Sequence, residues 1–195
     1  MALPAYIDAA TGAITDGDAW VAVASETLGA DAATVTFTST DDGQVGDWSQ
    51  YLDLVLICYG QTASTGAAWS YYDTYFNNDT TVANYKRQTL ESDGSTMTGQ
   101  LSTAFRIPTA NVNLGANVFG AAVVHLSDIN SGKYKLSRFQ GAQDGDGSGF
   151  IKTGAVIWYN QSPITEIDLV GWQGSYDIKS GSRFDLFGVL PRMVA

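Results

Sequence analysis

Short runs of alternating or continuous apolar residues, each closed within about ten positions by Gly, Asn, Asp or Ser, recur along this chain and constrain its fold more than any other feature. Thr34-Val35-Thr36-Phe37-Thr38 alternates with period two, and Tyr51 to Tyr59 is a nearly unbroken apolar run of the kind found in a buried strand. Further strand-like segments follow at Ala67 to Phe76, Ala83 to Leu90, Ser102 to Ile107, Ala116 to Leu126, Tyr134 to Gln140, Ala155 to Tyr159, Ile164 to Val170 and Phe184 to Val189. The i, i+3, i+4, i+7 spacing of an amphipathic helix is not sustained over any long window, although Tyr71 to Asn84 has room for a short helical turn. So many short strands in 195 residues predict one all-β domain, a sandwich or a barrel.

Composition agrees with that reading. Hydrophobic residues make up 45% and charged ones 15%, with 21 Gly and 4 Pro, a balance that argues against disorder and for many turns. No register-keeping repeat of solenoid or propeller length is present. Residues 1–32 are rich in Ala, Asp and Gly with isolated Trp20, Val21 and Val23, and read as an extended N-terminal arm or docking segment ahead of a domain at residues 33–195. The first residues lack the basic start and apolar stretch of a secretory leader, and no segment has the ~20 apolar residues of a membrane helix, so synthesis in the cytoplasm without insertion is expected.

Charge separates along the chain. The formal net charge is -10, and all ten Lys and Arg lie from Lys86 onward while the acids are shared between the two halves. A surface of this sign is poorly suited to phosphates, which argues against nucleic acid as a partner. The acid-rich loop 41–47 is either a solubilising surface or a docking end.

Four spaced pieces of sequence resemble a jelly-roll family of small bacteriophage virion proteins, over residues 34–190. The first is Val35-Thr36-Phe37-Thr38 followed by Trp48-Ser49-Gln50-Tyr51-Leu52-Asp53-Leu54, similar to the family's strand entry. The second is Tyr75-Phe76-Asn77-Asn78-Asp79-Thr80 with Asn84-Tyr85-Lys86, like the family's Phe-Asn-Gly-Asp run and Asn-Tyr, with Asn78 in place of the glycine. The third is Val123-Val124-His125-Leu126-Ser127-Asp128 with Lys133-Tyr134-Lys135. The fourth is Ile164-Thr165-Glu166-Ile167 for one strand and then Gly181-Ser182-Arg183-Phe184-Asp185-Leu186-Phe187-Gly188-Val189, much like the family's Gly-Ser-x-Phe-x-Leu-Tyr-Gly-Ile ending, with Phe187 where tyrosine is usual.

The resemblance implies a single jelly-roll-like antiparallel β-sandwich. It also implies a structural, non-enzymatic role on the virion as a head-decoration, tail-fibre or spike subunit. The partners it implies are further copies of the chain, in a trimer or another cyclic arrangement, and other virion proteins. Asn77, Asp79, Asn84 and Tyr85 are then turn-makers and anchors. Gly181, Ser182, Phe184, Leu186 and Gly188 form the closing strand, with Phe184, Leu186, Trp158 and Leu54 in the core.

Residues able to do chemistry are sparse. The lone His125 sits in an apolar strand and reads as a packed or hydrogen-bonded residue, with no Ser-His-Asp pattern around it. Cys58 is a lone thiol in an apolar run. Asp144-Gly145-Asp146-Gly147-Ser148-Gly149 has the start of a calcium loop, but Ala155 stands where the bidentate acid belongs, and a hairpin tip is the simpler reading. No cofactor or metal is expected. The densest aromatic stretch, Trp69 to Phe76, offers Trp69, Tyr71, Tyr72 and Tyr75 either as core and subunit contacts or as rings that stack on host glycans. Receptor recognition is therefore the alternative function.

Overall fold

In strands, period-two alternation turns one set of side chains inward and the other outward. In the computed structural model, which describes residues 20–65, 70–145 and 149–190, that rule produces twelve strands. They are β1 (Trp20–Thr27), β2 (Thr34–Thr38), β3 (Asp53–Thr62), β4 (Ser70–Phe76), β5 (Tyr85–Ser92), β6 (Met97–Ser102), β7 (Phe105–Asn111), β8 (Gly120–Ser127), β9 (Lys135–Asp144), β10 (Gly149–Trp158), β11 (Glu166–Gly171) and β12 (Arg183–Val189). The chain is all-β, and its described helical turns are three-residue 3-10 pieces such as Val82–Asn84.

All twelve strands belong to one hydrogen-bonded network. Four of them run antiparallel in the order β2-β11-β4-β7. The other eight run antiparallel in the order β1-β12-β3-β8-β9-β10-β5-β6. The two sections join where Gln61 and Thr62 of β3 run parallel to Ala110 and Asn111 of β7. The pairing is nested: β1 with β12, β2 with β11, β3 with β8, and β4 with β7. The remaining strands form two hairpins, β5/β6 and β9/β10, that extend the larger section beyond β8.

The inner faces of the two sections meet through aromatic rings. Tyr72 meets Phe184 at 5.3 Å, Phe76 meets Trp158 at 5.5 Å and Phe105 meets Phe139 at 6.1 Å between centroids. Leu54, Trp158, Phe184 and Leu186 are buried in this core, as their alternation requires. Tyr51 and Leu56 join them, but Leu52 of the same run points to solvent.

Two strands escape the periodicity argument. The segment read as an arm contains β1, which pairs along its length with β12 and sends Val21 into the core, so residues 20–27 are part of the sheet. The rest of that segment, residues 1–19, lies outside the described residues. β6 was not expected either, because Met97-Thr98-Gly99-Gln100-Leu101-Ser102 has weak strand propensity and is held only by its hairpin with β5. β12 does not end the sheet: it lies between β1 and β3. Phe184, Leu186 and Gly188 face inward, and Phe187 and Val189 are half-buried, with the Trp20 ring 6.1 Å from that of Phe187.

The second sequence piece becomes a single polar knot at the end of β4. Asn77 and Asn78 both take left-handed backbone, at φ 51° and 58°, which asparagine tolerates better than other side-chain-bearing residues. Asn77 accepts from the backbone N–H groups of Thr165 (2.8 Å) and Glu166 (3.0 Å) and donates to Pro163 O (2.7 Å), pinning the turn to the start of β11. Asp79 accepts from Trp158 Nε1 and Asn84 Nδ2, each at 2.8 Å. The Tyr85 hydroxyl donates to Asp79 O and accepts from Phe76 N, both at 3.0 Å.

In the fourth piece Gly181 takes φ +85° and its N–H donates to Leu28 O at 2.7 Å. Ser182 is buried and its hydroxyl accepts from Gln61 N at 3.2 Å.

Candidate functional site

Where the β5/β6 hairpin and the start of β10 come up to Tyr71 of β4, they leave a cleft. Tyr71 and Phe150 wall it, with centroids 6.2 Å apart at 72°, and Glu91, Ser92, Asp93, Thr96 and Thr98 form its rim. Alternation sets this up: Tyr71 and Asp73 lie on the face of β4 opposite Tyr72, while Arg87 and Thr89 of β5 and Lys152 of β10 turn inward toward them. The cleft encloses about 230 Å³, less than the roughly 300–1,000 Å³ of cofactor pockets, so it suits one ring-sized group.

Charge is concentrated behind the Tyr71 ring. Lys152 Nζ is 2.5 Å from Glu91 Oε2, 3.4 Å from the Tyr71 hydroxyl and 4.9 Å from the ring centroid, a buried cation on an aromatic face. Burial lowers the Lys152 pKa against the pull of Glu91, and burial, with Glu91 nearby, pushes the Tyr71 phenol up to about 12. Arg106 Nε pairs with Asp73 Oδ1 at 2.8 Å, and Asp73 Oδ2 accepts from Gln173 N at 2.7 Å. Arg87 is 5% exposed, its Nε and Nη1 lack acceptors, and burial lowers its pKa. The Trp172 ring lies 6.0 Å from that of Tyr71, and its Nε1 also lacks an acceptor. An aromatic wall with a polar rim of Ser92, Thr96 and Thr98 can hold a polar ring by stacking and hydrogen bonding.

The four aromatic residues singled out in the sequence go to different places. Tyr71, 8% exposed, lines the cleft. Tyr72 is 0% exposed, edge-on to Phe184, and its hydroxyl accepts from Thr109 at 2.9 Å, so it cannot touch a glycan. Tyr75 is half-buried beside Tyr85, and Trp69 lies outside the described residues. Phe150, Glu91, Lys152, Arg87 and Trp172 were missed. The only local hint was a cation at an inward strand position, as at Arg87 and Lys152, since the groups come from segments tens of residues apart, on β4, β5 and β10.

Other reactive groups are held in place. His125 Nε2 is 2.6 Å from Asp53 Oδ2, and Asp53 Oδ1 accepts from Asp128 N at 2.7 Å, a structural link between β3 and β8. Cys58 is buried, which pushes its thiol pKa up and leaves it unreactive at neutral pH. Asp42 and Asp47 accept backbone N–H bonds from Gln44 and from Gly43 and Ser49, and so shape the acid-rich loop themselves. Asp146, Gly147 and Ser148 of the glycine-rich tip lie outside the described residues. Among the described residues no cluster of three or more His, Cys, Asp or Glu is placed to hold a metal, and no helix is long and apolar enough to cross a membrane.

Comparison of the chain with protein-family models, with curated proteins and with solved structures found no match.

Proposed function

We propose that this chain is a non-enzymatic structural subunit of a bacteriophage particle, a jelly-roll β-sandwich displayed on the virion as a head-decoration or tail-fibre or spike component. The observation that carries this reading is the nested strand pairing, β1·β12, β2·β11, β3·β8 and β4·β7. A long antiparallel ribbon rolled on itself has this order, and contacts β12·β3 and β11·β4 close the roll. The four sequence pieces fall on β2 to β3, β4 to β5, β8 to β9 and β11 to β12. Its mechanism is burial of complementary surface between copies of itself and neighbouring virion proteins. The test is cryo-electron microscopy of particles purified from the phage that encodes the chain, with its copies traced. Stoichiometric copies at lattice axes or on the tail are expected; particles that lack the chain would overturn the reading.

The cleft at Tyr71 and Phe150 favours a second reading, a receptor module that takes one sugar ring of a host glycan. Thr96 lines the mouth and is exposed, so Thr96→Trp blocks the cleft without touching the core. Glycan binding that vanishes in this variant at unchanged Tm supports a receptor role, and binding that persists sinks it.

A further inference from the structure

We infer that β6 is a docking edge for a second copy of this chain, pairing antiparallel with the partner copy's own β6 about a two-fold axis. The inference deepens the assembly reading and rests on it.

Edge strands left open recruit other chains, and proteins ordinarily guard them with charge, proline, bulges or cover. β6 has none of these. It pairs with β5 alone, it is Met97-Thr98-Gly99-Gln100-Leu101-Ser102 with no charged residue or proline, and its register with β5 runs without a shift. Leu101 and Met97, 79% and 69% exposed, are the most exposed large hydrophobics among the described residues, and they share one face of this strand with Leu90 of β5 beside them.

The other described edges are guarded. β1 carries a bulge between Ala22 and Ala24 and ends in Ser25-Glu26. β2 turns Val35 and Phe37 into the core, shows only threonines outward, and is flanked by Asp31, Asp41 and Asp42. The open side of β7 is covered by the curl of β8 and β9, with Phe105 on Phe139. One open edge per copy gives a closed two-fold pair, whereas two would propagate into a fibre.

Charge selects a second copy as the occupant. The acid-rich half of the chain lies on other strands, and β6 itself is neutral, so self-pairing brings no like charges face to face along the strand. Antiparallel pairing also sets the β5/β6 turn of one copy, with exposed Asp93, at the end of the partner copy's β6 where exposed Lys86 stands one strand in. The contact is made twice by symmetry.

The test uses the full chain and the double variant Met97→Lys/Leu101→Lys. Across the two-fold, position 97 of one copy stands opposite position 101 of the other on the same face, so lysine meets lysine at both ends of the paired strands. Sedimentation velocity over a concentration series is expected to show a monomer–dimer equilibrium for the wild type, with amide exchange at residues 97–102 slowing as dimer forms. The double variant is expected to stay monomeric with an unchanged circular dichroism spectrum. Should it fail to fold, Lys86→Glu alone, at an exposed position, is expected to weaken the dimer at least several-fold. A wild type that stays monomeric, a variant that pairs as the wild type does, growth beyond dimer, or exchange at 97–102 indifferent to concentration would each overturn the inference. A monomeric wild type that still enters particles would remove self-pairing and leave the assembly reading standing.

Discussion

At the scale of single residues, polar side chains hold the turns and small ones admit the rings. Asp79 is bonded by Trp158 Nε1, Asn84 Nδ2 and Thr81 N. Burial raises its pKa, but these three donors outweigh burial and hold the carboxyl below its ordinary 3.8. Asp79→Ala leaves the buried indole N–H without an acceptor and is expected to cost about 1–3 kcal/mol in denaturant unfolding. Because the folded pKa is depressed, the carboxylate's contribution is complete above the unfolded value and is lost as pH falls through the folded one. The gap between wild type and Asp79→Ala should therefore narrow in acid, and a gap that stays constant down to about pH 2 would contradict the assignment. Gly188 lies against the Tyr51 ring, and a Cβ there would come within 2.3 Å of it. A stacked ring inside a core has little room to retreat, so Gly188→Ala is expected to destabilise by roughly 1–3 kcal/mol, read as a lowered Tm. The chain's own pattern marked both residues, but the pattern did not say which rings they serve.

Whole elements respond differently. β12 joins the edge strand β1 to β3 in the larger section, and Phe184 on it meets Tyr72 across the core. Truncating this ring, Phe184→Ala, is expected to cost about 3–5 kcal/mol in equilibrium unfolding. β1 must be treated as part of the domain. Deleting residues 1–27 removes the partner of β12 and the buried Val21 and should lower Tm sharply, whereas deleting residues 1–19 keeps all twelve strands. Equal Tm values for the two deletions would show that β1 contributes nothing to the fold. Alternation made most strands readable, because an inward-outward pattern is written in adjacent residues. β1 and β6 were not readable for a physical reason: each is a strand only because a neighbour supplies its hydrogen bonds, and neither has a buried face strong enough to announce itself.

For the molecule as a whole, the strand order leaves β6 as an uncharged edge among the described residues, and the acid-rich first half of the chain lies on other strands. That division predicts association through the nearly neutral half with weak salt dependence, since neutral backbone and apolar side chains carry the contact and only the Asp93 and Lys86 ends are screened. Sedimentation at low and high salt should give similar dimer fractions, and dissociation by moderate salt would assign the contact to surface charge instead. The amino-acid sequence by itself determined the all-β class, the inward set Leu54, Trp158, Phe184 and Leu186, and the turn chemistry of Asn77 and Asp79, because these depend on residues within a few positions of one another. Only the tertiary structure decided that Tyr71 meets Phe150 and Lys152, that Tyr72 is closed off, and that β6 is left open. Those outcomes depend on which strands roll together across gaps of tens of residues, and period-two alternation specifies a strand's faces but not its neighbours.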